Sequence, residues 1–86
     1  MEVFSTYFFM KRKQKLIARR PNLEKRIAKQ LVLLRTNVKH PSLKLHKLNG
    51  ARKDYHSIWV EGNIRIILKF TKKGIVLGNI VTHDEY

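Results

Sequence analysis

The sequence predicts an α+β fold, with a helical hairpin packed on one face of a largely antiparallel sheet of four or five strands. Two observations lead to this prediction. Up to residue 40 the apolar residues recur at helical spacing, whereas after Pro41 they alternate with polar residues at the two-residue period of strands. Turn-forming segments separate the later apolar runs. The predicted order of elements is β-α-α-β-β-β-β, in a single domain that spans residues 1–86.

Two helices are predicted after a short strand at residues 3 and 4. Three apolar residues lie on one face of the first helix, in the segment YFFMKRKQKLIARR: Phe9, Leu16 and Ile17. Four apolar residues recur every three or four positions in the second helix: Leu23, Ile27, Leu31 and Leu34. Pro21 suits the first turn of this second helix, which should end near Thr36 or Asn37.

Four strands are predicted after Pro41. The first covers LKLHKL, where Leu43 and Leu45 alternate ahead of the strong turn dipeptide Asn49-Gly50. The segment YHSIWVEGNIRIILKF is predicted to form two strands joined by a tight turn at residues 61–63. A further turn at TKKG precedes the last strand, IVLGNIVT.

Arg65 lies in the middle of a predicted strand made mostly of isoleucine. Alternation places two sets of side chains on opposite faces of this strand: Ile64, Ile66, Leu68 and Phe70 on one, Arg65, Ile67 and Lys69 on the other. An arginine at a strand centre often takes part in a structural ion pair or marks an edge strand. Acids are few in this chain, and Arg52 and Lys53 carry the same charge, so the pattern favours a bound phosphate as its partner.

The charge of the chain points to a polyanionic partner. The formal net charge is +13, from 19 Lys and Arg against 6 Asp and Glu, and residues 1–53 contain only Glu2 and Glu24 as acids. Nucleic acid, an anionic membrane and an acidic protein would all suit such a field. Solubility alone would need only a few net charges. The cations of the two helices are therefore either a solvated surface or direct contacts to RNA.

The composition also limits the compartment. The chain has no cysteine, so it has neither disulfides nor a thiolate metal site. No apolar run approaches the roughly 20 residues that span a bilayer. The apolar stretch at the N-terminus precedes the positive charges, which is the reverse of a secretory signal. We therefore expect a cytoplasmic protein without a membrane association.

The side chains that could do chemistry are imidazoles, cations and tyrosines. The histidines are spread along the chain and match no metal-binding motif. These groups suit metal-independent cleavage of RNA, in which the 2′-hydroxyl attacks its own adjacent phosphate. A base must remove the hydroxyl proton, an acid must protonate the leaving oxygen, and cations must stabilise the charged phosphorus centre. Histidine fits both proton-transfer roles, and an aromatic ring can stack on a base.

Three segments in order, HPSLKLHKLNG, YHSIWVEGNIRIILKF and IVLGNIVTHDEY, resemble the RelE/ParE toxin superfamily. The pattern is most similar to its RelE- and YafQ-type mRNA interferase branch and covers essentially the whole chain. The resemblance implies a small cytoplasmic toxin, neutralised by a cognate acidic antitoxin, that cuts messenger RNA on the ribosome without metal or cofactor. It also implies binding of operator DNA through the toxin–antitoxin complex.

The resemblance also implies roles for five residues in catalysis. Arg65 matches the strand arginine that stabilises phosphate charge, and His83 matches a general acid or base in the closing motif. Tyr86 matches the terminal aromatic residue that stacks on a base or assists proton transfer. His56 lies in the strand where YafQ-type members carry a catalytic histidine, and His46 lies in the HKLxG turn. His46 could instead stabilise the turn by a hydrogen bond.

The resemblance assigns a second group of residues to the RNA backbone. These are the cations in and around the HKLxG turn: Lys44, Lys47, Arg52 and Lys53. His40 is expected to have no catalytic role, and Tyr55 and Trp59 are expected to be packing residues. One departure from the family concerns Tyr86, which directly follows Glu85, whereas relatives commonly have one residue between them.

Two other functions remain open on the sequence. A ParE-like poison of DNA gyrase would keep the fold, although such relatives do not need the histidines. A non-catalytic module that binds nucleic acid or an antitoxin would explain the charge without any chemistry.

Overall fold

Residues 1–82, described by a computed structural model, form two helices packed on a five-stranded sheet. In chain order the elements are β1 (Val3–Ser5), α1 (Tyr7–Arg19), α2 (Leu23–Thr36), β2 (His46–Lys47), β3 (His56–Glu61), β4 (Ile64–Thr71) and β5 (Gly74–Thr82). Short 3-10 turns at Pro41–Leu43 and Gly50–Arg52 flank β2. The predicted α+β class and element order are confirmed. Within residues 1–82, neither helix is long and apolar enough to cross a membrane.

The strands follow the order β1-β5-β4-β3-β2 across the sheet, with β1 parallel to β5 and the other pairs antiparallel. Gly74 permits the close approach of β1. Its φ is +145°, and an added Cβ would lie 2.4 Å from the carbonyl oxygen of Glu2. The Ile75 N–H donates to that same oxygen at 2.8 Å. The N-terminal strand is thereby added to the sheet beside β5.

Thr6 determines where α1 begins. Its Oγ1 accepts a hydrogen bond from the Phe9 N–H at 3.1 Å and donates to the Leu77 carbonyl at 2.9 Å. This residue therefore caps the helix and ties its first turn to β5. The predicted start of the second helix is wrong by a short distance, because α2 begins at Leu23 and Pro21 lies in the turn before it.

The core lies between the helices and one face of the sheet. Fully buried side chains from both layers meet there: Phe9, Leu23 and Leu34 from the helices, and Ile58, Ile66, Leu68, Ile75, Leu77 and Ile80 from the sheet. Each such side chain contributes roughly 1.5–3 kcal/mol when it leaves water. The helices are thereby held against this face, and the side chains of β3 and β4 that point the other way are left uncovered by them.

Gln30 is an unpredicted member of the buried face of α2. It is fully buried, whereas Leu31, which the sequence pattern favours, is only partly buried. The Gln30 Nε2 donates to the carbonyl of Trp59 at 2.7 Å and to that of Ser42 at 3.2 Å. Because β2 pairs only with residues 56 and 57 of β3, Gln30 provides a donor to the part of β3 that β2 leaves uncovered.

The strand predicted over LKLHKL is much shorter in the structure. Only His46–Lys47 are extended and paired, because Leu43 lies in a 3-10 turn and Lys44 has a left-handed φ of 47°. The fully buried Leu43 side chain draws the chain toward the core, which is incompatible with a straight strand. The turn predicted at Asn49-Gly50 is also longer, since it continues through Gly50–Arg52 before β3 begins.

Candidate functional site

The uncovered face of the sheet carries a small polar cluster on β2, β3 and β4. Ser57 of β3 pairs with His46 of β2, and Trp59 of β3 pairs with Arg65 of β4. Paired residues of antiparallel strands point to the same face. These four side chains therefore lie together on the side of the sheet opposite the helices.

Arg65 is the centre of this cluster, which we call the Arg65 cluster: Arg65, His46, Ser57 and Lys44. The Arg65 Nε donates to Ser57 Oγ at 2.9 Å, and Nη2 donates to the Lys44 carbonyl at 2.8 Å and to His46 Nδ1 at 3.1 Å. Among residues 1–82 none of these partners is a carboxylate, and Nη1 has no hydrogen-bond partner. The guanidinium is thus fixed in position while its charge is not neutralised there.

These contacts favour one tautomer of His46. A guanidinium only donates, so the Nδ1 of His46 must accept from Arg65. The ring proton of the neutral imidazole then belongs on Nε2, which lies 3.4 Å from Ser57 Oγ. Ser57 is fully buried and accepts from both neighbours. In this tautomer the Nδ1 lone pair of His46 faces the Arg65 guanidinium.

Lys44 joins the cluster through its unusual backbone conformation. Its left-handed φ of 47° turns the carbonyl toward Arg65, and its Nζ lies 4.7 Å from the centre of the Trp59 ring. Arg26 of α2 lies over the same ring at 4.9 Å and donates from Nε to the Val60 carbonyl at 2.8 Å. Cations from two elements distant in sequence therefore surround one indole beside Arg65.

His56 lies on the opposite face of the sheet from Arg65. Its ring makes an edge contact with Phe70 at 4.9 Å, and its buried Nδ1 has no hydrogen-bond partner among residues 1–82. Burial lowers the pKa of His56, and the positive charge of Lys47 lowers it further. Lys47 pairs with His56 across β2 and β3. The structure therefore does not bring His56 or Lys47 to the Arg65 cluster.

The remaining predicted site residues are Arg52, Lys53, His83 and Tyr86. Arg52 lines a recess on the uncovered face together with Ile67, the residue two positions after Arg65. Lys53 ends the 3-10 turn at Gly50–Arg52, with its N–H donating to the Gly50 carbonyl. His83 and Tyr86 lie outside the described residues.

His40, for which no catalytic role is expected, has a structural contact. Its Nδ1 accepts from the Ser42 N–H at 3.1 Å and so caps the turn that leads into Lys44. Across residues 1–82, no three His, Asp or Glu side chains come close enough together to hold a metal ion.

Two residues of the site could not be recognised from the sequence. Ser57 gives no signal, because one serine in an apolar strand is common on either face. Arg26 lies on a helix rich in cations, and nothing in its spacing distinguishes it from Lys25 or Lys29. Both residues acquire a role only when the strands are in register and α2 is docked.

Solved structures of toxins have the same fold as this chain. A crystal structure of YafQ from E. coli has a TM-score of 0.80 and 24% identity, and the match covers 96% of this chain and 93% of that chain. A structure of the E. coli DinJ–YafQ complex gives a TM-score of 0.78 at 25% identity, over 96% of this chain and 93% of the other. A YoeB–YefM complex from Staphylococcus aureus gives 0.78 at 14% identity, over 96% and 97%.

No protein-family model and no curated protein matches the chain. The structural matches confirm the predicted resemblance to the RelE/ParE superfamily. The chain therefore has the fold of RelE/YafQ-type toxins.

Proposed function

We propose that this chain is the toxin of a type II toxin–antitoxin system, a cytoplasmic endoribonuclease that cuts messenger RNA on the ribosome. The observation that supports this best is the Arg65 cluster on the uncovered sheet face. There an arginine without a carboxylate partner within residues 1–82 lies within hydrogen-bond distance of a histidine. The fold that carries this cluster is shared with the structures of YafQ and YoeB.

Arg65 is the proposed phosphate ligand. In the cleavage reaction, the 2′-oxygen bonds to the adjacent phosphorus while the bond from phosphorus to the leaving 5′-oxygen breaks. Negative charge accumulates on the non-bridging oxygens during this exchange, and preorganised donors stabilise it. The Nη1 donors of Arg65 are free of partners within residues 1–82 and lie on the solvent-facing side of the sheet, so they suit this role.

His46 is the proposed general base. Its Nδ1 lies 3.1 Å from Arg65 Nη2, and because a guanidinium only donates, this nitrogen carries a lone pair. A 2′-hydroxyl that displaces this hydrogen bond would find the lone pair available, while Arg65 stays held by its bonds to Ser57 and to the Lys44 carbonyl. Nδ1 would then take the hydroxyl proton, and the resulting imidazolium would add positive charge beside the phosphate.

His83 and Tyr86 complete the proposed site on the strength of the family resemblance. His83 would protonate the leaving 5′-oxygen, and Tyr86 would stack on a base. His56 is left out of the proposed site, because the sheet separates its ring from Arg65. Lys44 is the proposed backbone contact on this face, Arg52 lines the recess beside the cluster, and Lys47 and Lys53 add to the positive field that attracts RNA.

The proposed partner is an acidic antitoxin, and the family resemblance implies that the complex also binds operator DNA through it. Solved relatives include a DinJ–YafQ toxin–antitoxin complex and a YoeB–YefM complex. In this chain, Phe8, Met10 and Val32 expose apolar side chains on the helices. A groove of about 470 Å³ runs between α1 and α2 and is lined by Lys13, Ile17 and Leu31 among others. An amphipathic acidic segment would match this surface in both charge and polarity.

The proposal is tested by incubating the purified chain with ribosomes programmed with a defined message. We expect cleavage within the decoding site that leaves a 2′,3′-cyclic phosphate on one product and a 5′-hydroxyl on the other. A message with a single 2′-deoxy nucleotide at the cut site is the control, and it should stay intact because the nucleophile is missing.

A parallel assay with DNA gyrase separates the main alternative. Trapped, cleaved DNA in that assay together with intact message on ribosomes would overturn the proposal in favour of a gyrase poison. Inactivity of a folded sample in both assays would favour the non-catalytic binding module instead.

A further inference from the structure

A recess of about 220 Å³ lies on the uncovered sheet face beside the Arg65 cluster. It is lined by Arg52, Tyr55, Ile67, Gly78 and Asn79. Ile67 follows Arg65 by two positions on β4 and pairs with Ser57 of the cluster. Side chains two residues apart on a strand are separated by roughly 7 Å on the same face. The recess is therefore about one nucleotide away from the guanidinium.

Gly78 keeps this recess open. The register between β4 and β5 passes from Ile67 opposite Asn79 to Leu68 opposite Leu77, so Gly78 is the extra residue of a β-bulge. An added Cβ at Gly78 would lie 3.9 Å from the Tyr55 ring and 3.7 Å from the Ile67 carbonyl oxygen. A larger side chain at this position would enter the space between the Tyr55 ring and β5.

The walls of the recess suit a flat aromatic ligand. The Tyr55 ring packs against the buried side chains of Leu48, Ile67 and Val81, which hold it in place. The Nζ of Lys69 lies 5.7 Å from the centre of that ring. A fixed aromatic ring with an apolar floor and a cation nearby is the arrangement that stacks nucleobases in single-strand binding proteins.

The polar groups of the recess are mainly donors. Asn79 Oδ1 already accepts from the Ile80 N–H at 2.8 Å, so the amide Nδ2 is the part of this side chain that remains for a ligand. The Arg52 guanidinium offers only donors. A ligand that satisfies both must present acceptors along one edge. Guanine does so through O6 and N7, the pair that arginine recognises most often in nucleic acids.

The geometry points to a nucleobase-binding site in this recess, selective for guanine, that holds a base next to the phosphate bound by Arg65. Tyr55 stacks on the base, while Arg52 and Asn79 bind its acceptor edge. This inference rests on the proposed function only in taking RNA as the physiological ligand. Binding of a base to the recess is measurable without the ribosome.

The experiment titrates the isotope-labelled chain with guanosine, adenosine, cytidine and uridine 5′-monophosphates and with ribose 5-phosphate. We expect guanosine 5′-monophosphate to shift the NMR signals of Ile67, Gly78 and Asn79 and to give the lowest Kd. Ribose 5-phosphate carries the same phosphate without a base, so it should shift signals near the cations but leave those of the recess in place. Equal shifts in the recess from ribose 5-phosphate, no shift there from any nucleotide, or a preference for another base would overturn the inference.

Substitutions of Gly78 provide a second readout. Gly78→Val should fill the recess and weaken guanosine 5′-monophosphate binding at least tenfold, whereas Gly78→Ala, whose Cβ makes only ordinary contacts, should weaken it less. Arg52→Ala should weaken it as well, and Lys29→Ala on the exposed surface of α2 is the charge-matched control. Wild-type affinity in folded Gly78→Val would contradict the assigned site. If Gly78→Val does not fold, Asn79→Ala replaces it in the test. In Asn79→Ala the Kd for guanosine 5′-monophosphate should rise more than the Kd for uridine 5′-monophosphate.

The two proposals fail in different ways. A chain that cuts messenger RNA but shows no nucleotide-induced shifts in the recess retains the proposed function and loses this inference. A chain that binds guanosine 5′-monophosphate in the recess but cuts no message retains the inference and loses the endoribonuclease proposal.

Discussion

The two faces of the sheet differ in what their side chains contact, although the same strands supply both. On the face beneath the helices, Ile58, Ile66 and Leu68 are fully buried among apolar neighbours. On the other face, Ser57 and Arg65 alternate with those residues and bond to each other and to His46. The covered face gives the strands fixed positions. The uncovered face uses those fixed positions to hold polar groups within hydrogen-bond distance of each other.

This difference explains how so small a chain can keep an unneutralised guanidinium in a fixed geometry. Lone surface arginines rarely hold one conformation, because their side chains lose much entropy when they are fixed. Arg65 is held by three hydrogen bonds to Ser57, Lys44 and His46. Ser57 lies on β3, whose opposite face is buried in the core. His46 lies on β2, which pairs with β3 at the edge of the sheet. The site and the core should therefore respond separately to substitution.

The largest effect is expected from Arg65→Ala. Loss of the phosphate ligand should lower the rate of message cleavage about 100- to 1000-fold, the usual cost of removing one stabilising donor. Arg65→Lys should recover little of this rate, since an ammonium group cannot make the same forked set of contacts. The measurement is single-turnover cleavage on programmed ribosomes. Lys72→Ala, in the exposed turn after β4, is the control and should stay within a few fold of wild type.

Ile66→Ala, on the covered face of the same strand, should act on stability instead. Ile66 is fully buried, so its truncation should reduce the free energy of unfolding by about 2–5 kcal/mol through lost burial and the cavity left behind. Urea denaturation followed by Trp59 fluorescence measures this. If the two faces are independent, the folded fraction of Ile66→Ala should retain cleavage activity. A loss of cleavage rate in that folded fraction would show that the two faces are coupled.

A smaller loss of stability is expected from Gln30→Leu, which tests the contact between α2 and the edge of β3. The substitution keeps the volume but removes the donor to the carbonyls of Trp59 and Ser42. Each buried acceptor left without a partner costs about 1–3 kcal/mol. Urea unfolding should show a cost in that range. Gln14→Leu on the exposed surface of α1 is the matched control, and an equal cost in both variants would refute the role of Gln30.

The smallest effect concerns pH and His56. Because burial lowers the pKa of this histidine in the folded chain, the unfolded chain takes up the proton first as the pH falls below about 6.5. Stability should therefore decrease from pH 7.5 toward pH 5 and level off once the folded form is also protonated. In His56→Leu this decrease should be smaller when urea midpoints at the two pH values are compared. An equal decrease in stability in the wild type and in His56→Leu would show that other titrating groups cause it.

How much of the site could be predicted differs from residue to residue. The two-residue period of strands was enough to separate Arg65 from the apolar face of β4, because adjacent side chains must point to opposite sides. The same rule places His56 and Ser57 on opposite faces of β3. The sequence does not say which of these faces the helices cover, and this decides which of the two residues lies beside Arg65. The roles of Lys44 and Ser57 also required the strand register, since neither residue is near Arg65 in sequence.

The sequence by itself determined the α+β class, the amphipathic helices, the excess of positive charge and the position of Arg65, because each follows from local periodicity or composition. The tertiary structure alone decided that His46 is a neighbour of Arg65 and that Gln30 belongs to the buried face of α2. It also decided that the bulge at Gly78 opens a recess one step along β4. These features depend on strand register and on how α2 docks, and both are set by contacts between residues far apart in the chain.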